Sequence, residues 1–206
     1  MRQPSLFVIG DSISLQYGPY LQTMLTGRFR YTRKTGDEDA LQNLDHPAGA
    51  NGGDSGMVLA YLHARKDDPQ FRPEILLLNC GLHDIKTDRQ TGEKQVTLPQ
   101  YRENLQRIVE IVREIGARLI WVRTTPVDDV QHNFLCSEFL RYDRDVVAYN
   151  HAADDIMTAA GIPVIDLYGF TRNLGGEPYE DHVHFIDTIR QCQAAYLAGH
   201  LTAWEE

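Results

Sequence analysis

Cysteine is scarce in this chain: Cys80, Cys136 and Cys192 are the only three in 206 residues, and no two form a Cys-x-x-Cys pair. An odd number of widely spaced cysteines argues against a disulfide framework and points to reduced thiols in a cytoplasmic setting. Cys80, in an apolar context, reads as a small buried hydrophobe rather than a nucleophile. Long apolar runs are also missing; the strongest, Ile75-Leu76-Leu77-Leu78, is far too short to cross a bilayer. The first residues lack the charged and apolar regions of a secretory leader, and no Asn-x-Ser/Thr acceptor occurs. Positive charge is in deficit, with Lys+Arg 20 against Asp+Glu 29 and a net charge of −9. That balance disfavours nucleic acid and anionic membranes as partners. No repeat, low-complexity tract or linker divides the sequence, so one domain over 1–206 is expected. His83, Asp181, His182 and His184 are acceptable metal ligands by type, but no His-x-x-x-His pair supports them, and neither a metal nor a cofactor is expected.

What is present is an alternation of strand and helix. Segments 5–9, 29–33, 74–79, 118–123 and 163–166 are short, β-branched or aromatic, and bounded by turn residues. Between them, Leu105, Ile108, Val112 and Ile115 recur at helical spacing, with Pro99 in the first turn and Gly116 at the end, which predicts a helix over 100–115. Further helices are expected near 139–160, from about Met57, and after Asp187 as N-cap to about Ala203. This alternation predicts an α/β fold of three α/β/α layers, with a flavodoxin-like parallel five-stranded sheet in the order 2-1-3-4-5. Segments 84–98, 126–138 and 168–183 fit no regular element. All three follow strands at their C-terminal side, so they should converge on the binding crevice, where Phe134, Leu135, Phe139 and Tyr168 could form a lining or merely pin the loops.

The chemistry begins at the first strand. Leu6-Phe7-Val8-Ile9 runs straight into Gly10-Asp11-Ser12, so a serine stands at the abrupt end of a buried strand. Ser after Gly-Asp is also a common helix cap, but the far end of the chain supplies an acid and a base in Asp181-His182-Val183-His184. Ser, then Asp, then His is one of the orders in which serine-hydrolase triads are built. His182 should point away from its neighbours and is read as structural.

These blocks resemble those of the SGNH/GDSL hydrolases, small serine esterases with a three-layer α/β/α fold. Phe7-Val8-Ile9-Gly10-Asp11-Ser12 is similar to the first block and Asp181-x-x-His184 to the last. Asn51-Gly52-Gly53-Asp54-Ser55-Gly56 is similar to the glycine-bearing second block, and Asn79-Cys80-Gly81-Leu82-His83-Asp84 falls at the third, with His83 where asparagine is usual. The resemblance implies Ser12 as nucleophile, His184 as general base and Asp181 as its partner. It implies an oxyanion hole from the Ser12 N–H, a second-block glycine (Gly56, with Gly53 as rival) and His83. His83 would serve as a neutral donor, oriented by a backbone carbonyl or by Asp84. Asp11 is expected to brace the nucleophile turn. The substrate class implied is a small-molecule or carbohydrate ester bearing a small acyl group, acetyl foremost. A thioesterase, a lysophospholipase and a catalytically dead binding module of the same fold remain open alternatives.

Overall fold

A computed structural model describes residues 2–204. Five strands form the parallel sheet: β1 (Ser5–Ile9), β2 (Arg30–Arg33), β3 (Ile75–Leu78), β5 (Arg118–Val122) and β7 (Val164–Ile165). Their order is β2-β1-β3-β5-β7. Counting these five alone, that is the expected 2-1-3-4-5. In the register, Phe7 lies opposite both Thr32 and Leu76, Leu77 opposite Ile120, and Trp121 opposite Val164. Two further strands of two residues each, β4 (Thr87–Asp88) and β6 (Phe139–Leu140), pair antiparallel outside the main sheet.

The central strands are apolar without alternation because helices cover both of their faces. Leu6, Val8, Leu76, Leu77, Leu78 and Trp121 are buried in the main core. Each large side chain so buried contributes roughly 1.5–3 kcal/mol before entropy is counted. Helices α1 (Ser12–Met24) and α8 (Asp187–Ala203) pack together, while α3 (Ser55–Arg65), α4 (Leu98–Ile115) and α6 (Asp143–Ala159) pack in sequence, α3 on α4 and α4 on α6. Short helices α2 (Asp37–Gln42), α5 (Asp129–Leu135) and α7 (Leu167–Arg172) lie in the connections.

Helix α4 shows the local logic. Thr97 accepts a hydrogen bond from Gln100 N, Pro99 sits in the first turn, and Gly116 ends the helix at φ 81°. Tyr101, Leu105, Ile108 and Val112 are buried on its inner face. Two helix starts differ from expectation. Phe139 and Leu140 pair with β4, so α6 begins at Asp143 rather than 139. At α8 the N-cap is Ile186, without a side-chain cap. Asp187 is instead the first helical residue, its carboxylate accepting from the Tyr20 hydroxyl and from Gln191 Nε2.

Of the irregular stretches, 126–138 contains α5 and 168–183 opens on α7. Phe134 is 85% exposed and Leu135 53%, so neither lines an interior crevice, whereas Phe139 is buried. Tyr168 donates its hydroxyl to Asp143 Oδ2 and pins its loop. No described helix is long and apolar enough to cross a membrane.

Candidate active site

Strand β1 ends at Gly10, and the chain turns at once into α1. Asp11 is the N-cap: its Oδ1 accepts from Ile13 N at 3.0 Å, and its backbone carbonyl accepts from the Ser14 hydroxyl at 2.7 Å. Burial raises the Asp11 carboxyl above its ordinary range, against the opposing hydrogen bonds at Ile13 and Ser14. Glycine is required at position 10, since a Cβ there would stand 2.7 Å from Ser14 Cβ and Oγ. Ser12 is thereby fixed as the first residue of α1, where the leading N–H groups have no intrahelical acceptor and the helix dipole favours negative charge.

The segment before α8 meets this turn from the other end of the chain. His184 Nε2 lies 2.9 Å from Ser12 Oγ, and His184 Nδ1 lies 2.7 Å from Asp181 Oδ2. The other oxygen, Asp181 Oδ1, accepts from the backbone N–H groups of Val183 and His184, each at 2.8 Å. Burial works against its charge, but the His184 side chain and the two N–H groups outweigh it and hold the Asp181 carboxyl well below the usual carboxylate range. Ser12 and His184 are each only 2% exposed.

The second block is tied to the nucleophile turn through Gly52, whose N–H donates to Gly10 O at 2.8 Å. Gly53 follows it, with φ 69°, and its N–H donates to Asn51 Oδ1 at 3.0 Å. Gly56 lies further on, in the first turn of α3, with Asn104 of α4 as a neighbour. The third block leaves β3 through Gly81, whose φ of 147° and contact with Thr124 exclude a side chain. His83 is fully buried, and neither ring nitrogen has a hydrogen-bond partner among the described residues. Burial, then the charges of Arg141 and Lys86, hold it well below the usual histidine range, so the ring is neutral. Asp84 does not orient His83. Its two oxygens accept from Ser55 N at 3.0 Å, and Oδ1 also takes the Ser55 hydroxyl. Burial pushes Asp84 up to about 7 despite those bonds.

His182 does not point away, as expected from sequence. Its ring centroid lies 5.8 Å from that of His184, and its nitrogens contact Asp45 Oδ2 at 2.9 Å and His132 Nδ1 at 3.0 Å. His132, Cys136 and His182 bring ligand-type atoms within 4.8 Å of one another, as do Asp181, His182 and His184. His132 Nδ1 and both nitrogens of His182 and of His184 are already in hydrogen-bonding contacts, His132 Nδ1 also lying 3.2 Å from the carbonyl of His182, while His132 Nε2 has no partner among the described residues. Arg141 is itself buried near this group and, after burial, is the largest cause of the low His132 pKa of about 3. A second cation is disfavoured there.

Asp45, Lys86, His132 and Arg141 were absent from the sequence reading. Only Arg141 carried a signal, as a charge directly after the apolar pair Phe139-Leu140.

The comparisons agree with this architecture. The GDSL-like Lipase/Acylhydrolase family model matches residues 8–191. The chain belongs to that family. It is accordingly a hydrolase of ester bonds. No curated protein sequence gives a significant match. Among solved structures, the lipase/acylhydrolase from Enterococcus faecalis is similar with a TM-score of 0.73 at 18% identity, covering 98% of this chain and 96% of that one. The acetyl xylan esterase AlAXEase has a TM-score of 0.68 at 15% identity, with 96% and 99% covered. The psychrotrophic esterase EstA from Pseudoalteromonas sp. has 0.65 at 14%, with both chains covered to 98%. At these identities the likeness is one of fold.

Proposed function

We propose that this GDSL-family enzyme is a serine esterase that removes a small acyl group, acetyl foremost, from a carbohydrate through an acyl-enzyme. The observation that carries the reading is the unbroken contact chain from Ser12 Oγ through the His184 ring to the Asp181 carboxylate. Serine is unreactive at its free pKa and needs a base within hydrogen-bond reach. In the proposed reaction His184 Nε2 takes the Ser12 proton as Oγ attacks the ester carbonyl. Asp181 stays ionised, fixes the tautomer and stabilises the imidazolium. The tetrahedral intermediate collapses, His184 returns the proton to the departing alcohol, and water repeats the sequence to release the acid and free Ser12.

The oxyanion hole in this reading comprises the Ser12 N–H at the start of α1, a second-block glycine N–H and the neutral His83 ring. Gly53 and Gly56 both remain candidates for the glycine role: Gly53 adjoins Gly52, which is bonded to the nucleophile turn, but its N–H already donates to Asn51 Oδ1 and would have to leave that acceptor, while Gly56 neighbours α4. A cleft of about 590 Å³ near the third block, which none of Ser12, Asp181 and His184 lines, is walled by polar residues such as His46, Thr87 and Asp88 beside Phe139, and is read as room for the alcohol part of the ester. Such a wall suits sugar hydroxyls better than an alkyl chain.

A series of p-nitrophenyl esters from two to eight carbons tests this. Acetate and propionate should give the highest kcat/KM, and Ser12→Ala should lose roughly 10⁶ in kcat while remaining folded. A kcat/KM that climbs steadily to eight carbons, at ~0.8 kcal/mol per methylene, would favour a thioesterase or lysophospholipase. Ser12→Ala activity within tenfold of wild type would remove Ser12 from the mechanism.

A further inference from the structure

Two cations are buried beside the triad of this acidic chain, and among the described residues neither makes an ion pair with a carboxylate. Arg141 is 1% exposed; its Nε donates to Leu82 O at 2.9 Å, and its Nη1 has no partner among the described residues. Lys86 is 8% exposed and donates to the backbone carbonyl of Asp45. Both stand over the Phe139 ring, Arg141 at 4.8 Å and Lys86 at 4.3 Å from its centroid. Burying a charge without a counterion is costly, so a site built this way is poised for an anion.

The acid that most favours the charged form of both cations is Asp45. Its Oδ2 is 2.9 Å from His182 Nε2, and its own burial is outweighed by His182 and Arg141, which hold it at about 2. Asp45 arrives on the connection between α2 and α3. The apolar residues of that connection pack on a small separate cluster of Leu15, Ala40, Ala50 and Leu44, not on the main core. Such satellite clusters under loops are the parts of a fold that open at least cost. Lys86 and Phe139 also line the 590 Å³ cleft, together with His46 and Pro47 of the same segment.

We propose that Arg141, Lys86 and His182 form an anion subsite beside the nucleophile, that the Asp45 carboxylate occupies only its His182 side in the free enzyme, and that a carboxylate on the ester substrate displaces Asp45 and reaches the two cations. The preferred substrate is then an acidic ester, of which an acylated uronic acid is the carbohydrate form. This rests on the reading of Ser12 as the esterase nucleophile. The carboxylate would sit about one sugar ring from the scissile bond, since His182 adjoins His184, which contacts Ser12.

The test compares 4-acetoxybenzoate with neutral 4-acetoxybenzamide, each corrected for its rate in hydroxide. The wild type should prefer the carboxylate by about tenfold or more in kcat/KM at low salt. The preference should shrink towards unity in Arg141→Gln and in Lys86→Gln, the second guarding against misfolding of the first. Asp45→Ala should lower KM for the carboxylate several-fold more than for the amide. Calorimetry with Ser12→Ala separates the subsite from the chemistry. Saturable binding of the carboxylate but not the amide supports the subsite even where wild-type turnover is negligible, a result that would count against the esterase reading alone. Equal or weaker binding of the carboxylate, in both Ser12→Ala and Ser12→Ala/Asp45→Ala, overturns the subsite whatever the turnover.

Discussion

His83 is the residue whose surroundings most limit its possible roles. It is neutral, sealed from solvent, and bonded through neither nitrogen, although a buried polar group without a partner normally costs about 1–3 kcal/mol. An oxyanion beside Ser12 would supply the missing acceptor during catalysis. His83→Ala should therefore lower kcat by about 10²–10³ with little change in KM, and His83→Asn should retain more activity because an amide N–H can reach a similar point. If both variants turn over like wild type, His83 is not an oxyanion donor. Asp181→Asn makes a different demand. The amide can still accept from Val183 and His184 N–H groups, but it no longer selects the productive His184 tautomer, and kcat should fall by roughly 10⁴. Steady-state assays showing less than a tenfold loss would exclude the orienting role. Ser12, Asp181 and His184 were legible because each sits in a local pattern, a strand end or a one-turn spacing. Asp45 and Arg141 were not, because they reach the site from segments far apart in sequence, with Asp45 and His182 separated by 137 positions.

At the scale of elements, periodicity located α4 within two residues because its caps and its apolar face agree. It misplaced the start of α6, because β6 is only two residues long and its partner β4 lies some fifty residues earlier, where no local pattern reveals it. The two central blocks are held together by a contact no motif announces: Asp84 of the third block accepts from Ser55 at the start of α3, and Asn104 of α4 donates to the Ser55 hydroxyl at 2.8 Å. Asp84→Ala would leave the buried Ser55 N–H without an acceptor. It should cost about 1–3 kcal/mol for that group alone. Urea titration should show the midpoint falling with the slope unchanged, and an unmoved midpoint would mean that water or a shifted backbone replaces the carboxylate.

For the whole molecule, the parallel sheet followed from the β/α alternation, and the flavodoxin-like strand order is one of the few that doubly wound sheets adopt. What alternation could not convey is how buried acids divide the pH response of the fold. Unfolded aspartates titrate near ~3.9. Asp45 and Asp181 are held below that value in the folded chain, so the stability they add is present above about pH 4 and is lost as the pH falls through their folded values. Asp84 behaves oppositely. Its folded value of about 7 means that the native chain keeps a proton that the unfolded chain has released, so stability declines as the pH rises from about 4 to 7 and then levels. The two effects should place the stability maximum between roughly pH 4 and 5, low for a protein of net charge −9. General repulsion among surface acids also grows with pH, and Asp84→Asn distinguishes it from the buried group. If the buried carboxyl dominates, urea-derived stability in the variant should become nearly flat from pH 5 to 7 while its decline below pH 4 persists. A variant that keeps the wild-type slope between pH 5 and 7 would assign the decline to surface repulsion or to Asp11, whose carboxyl burial also raises, and show that Asp84 is already ionised in the folded chain.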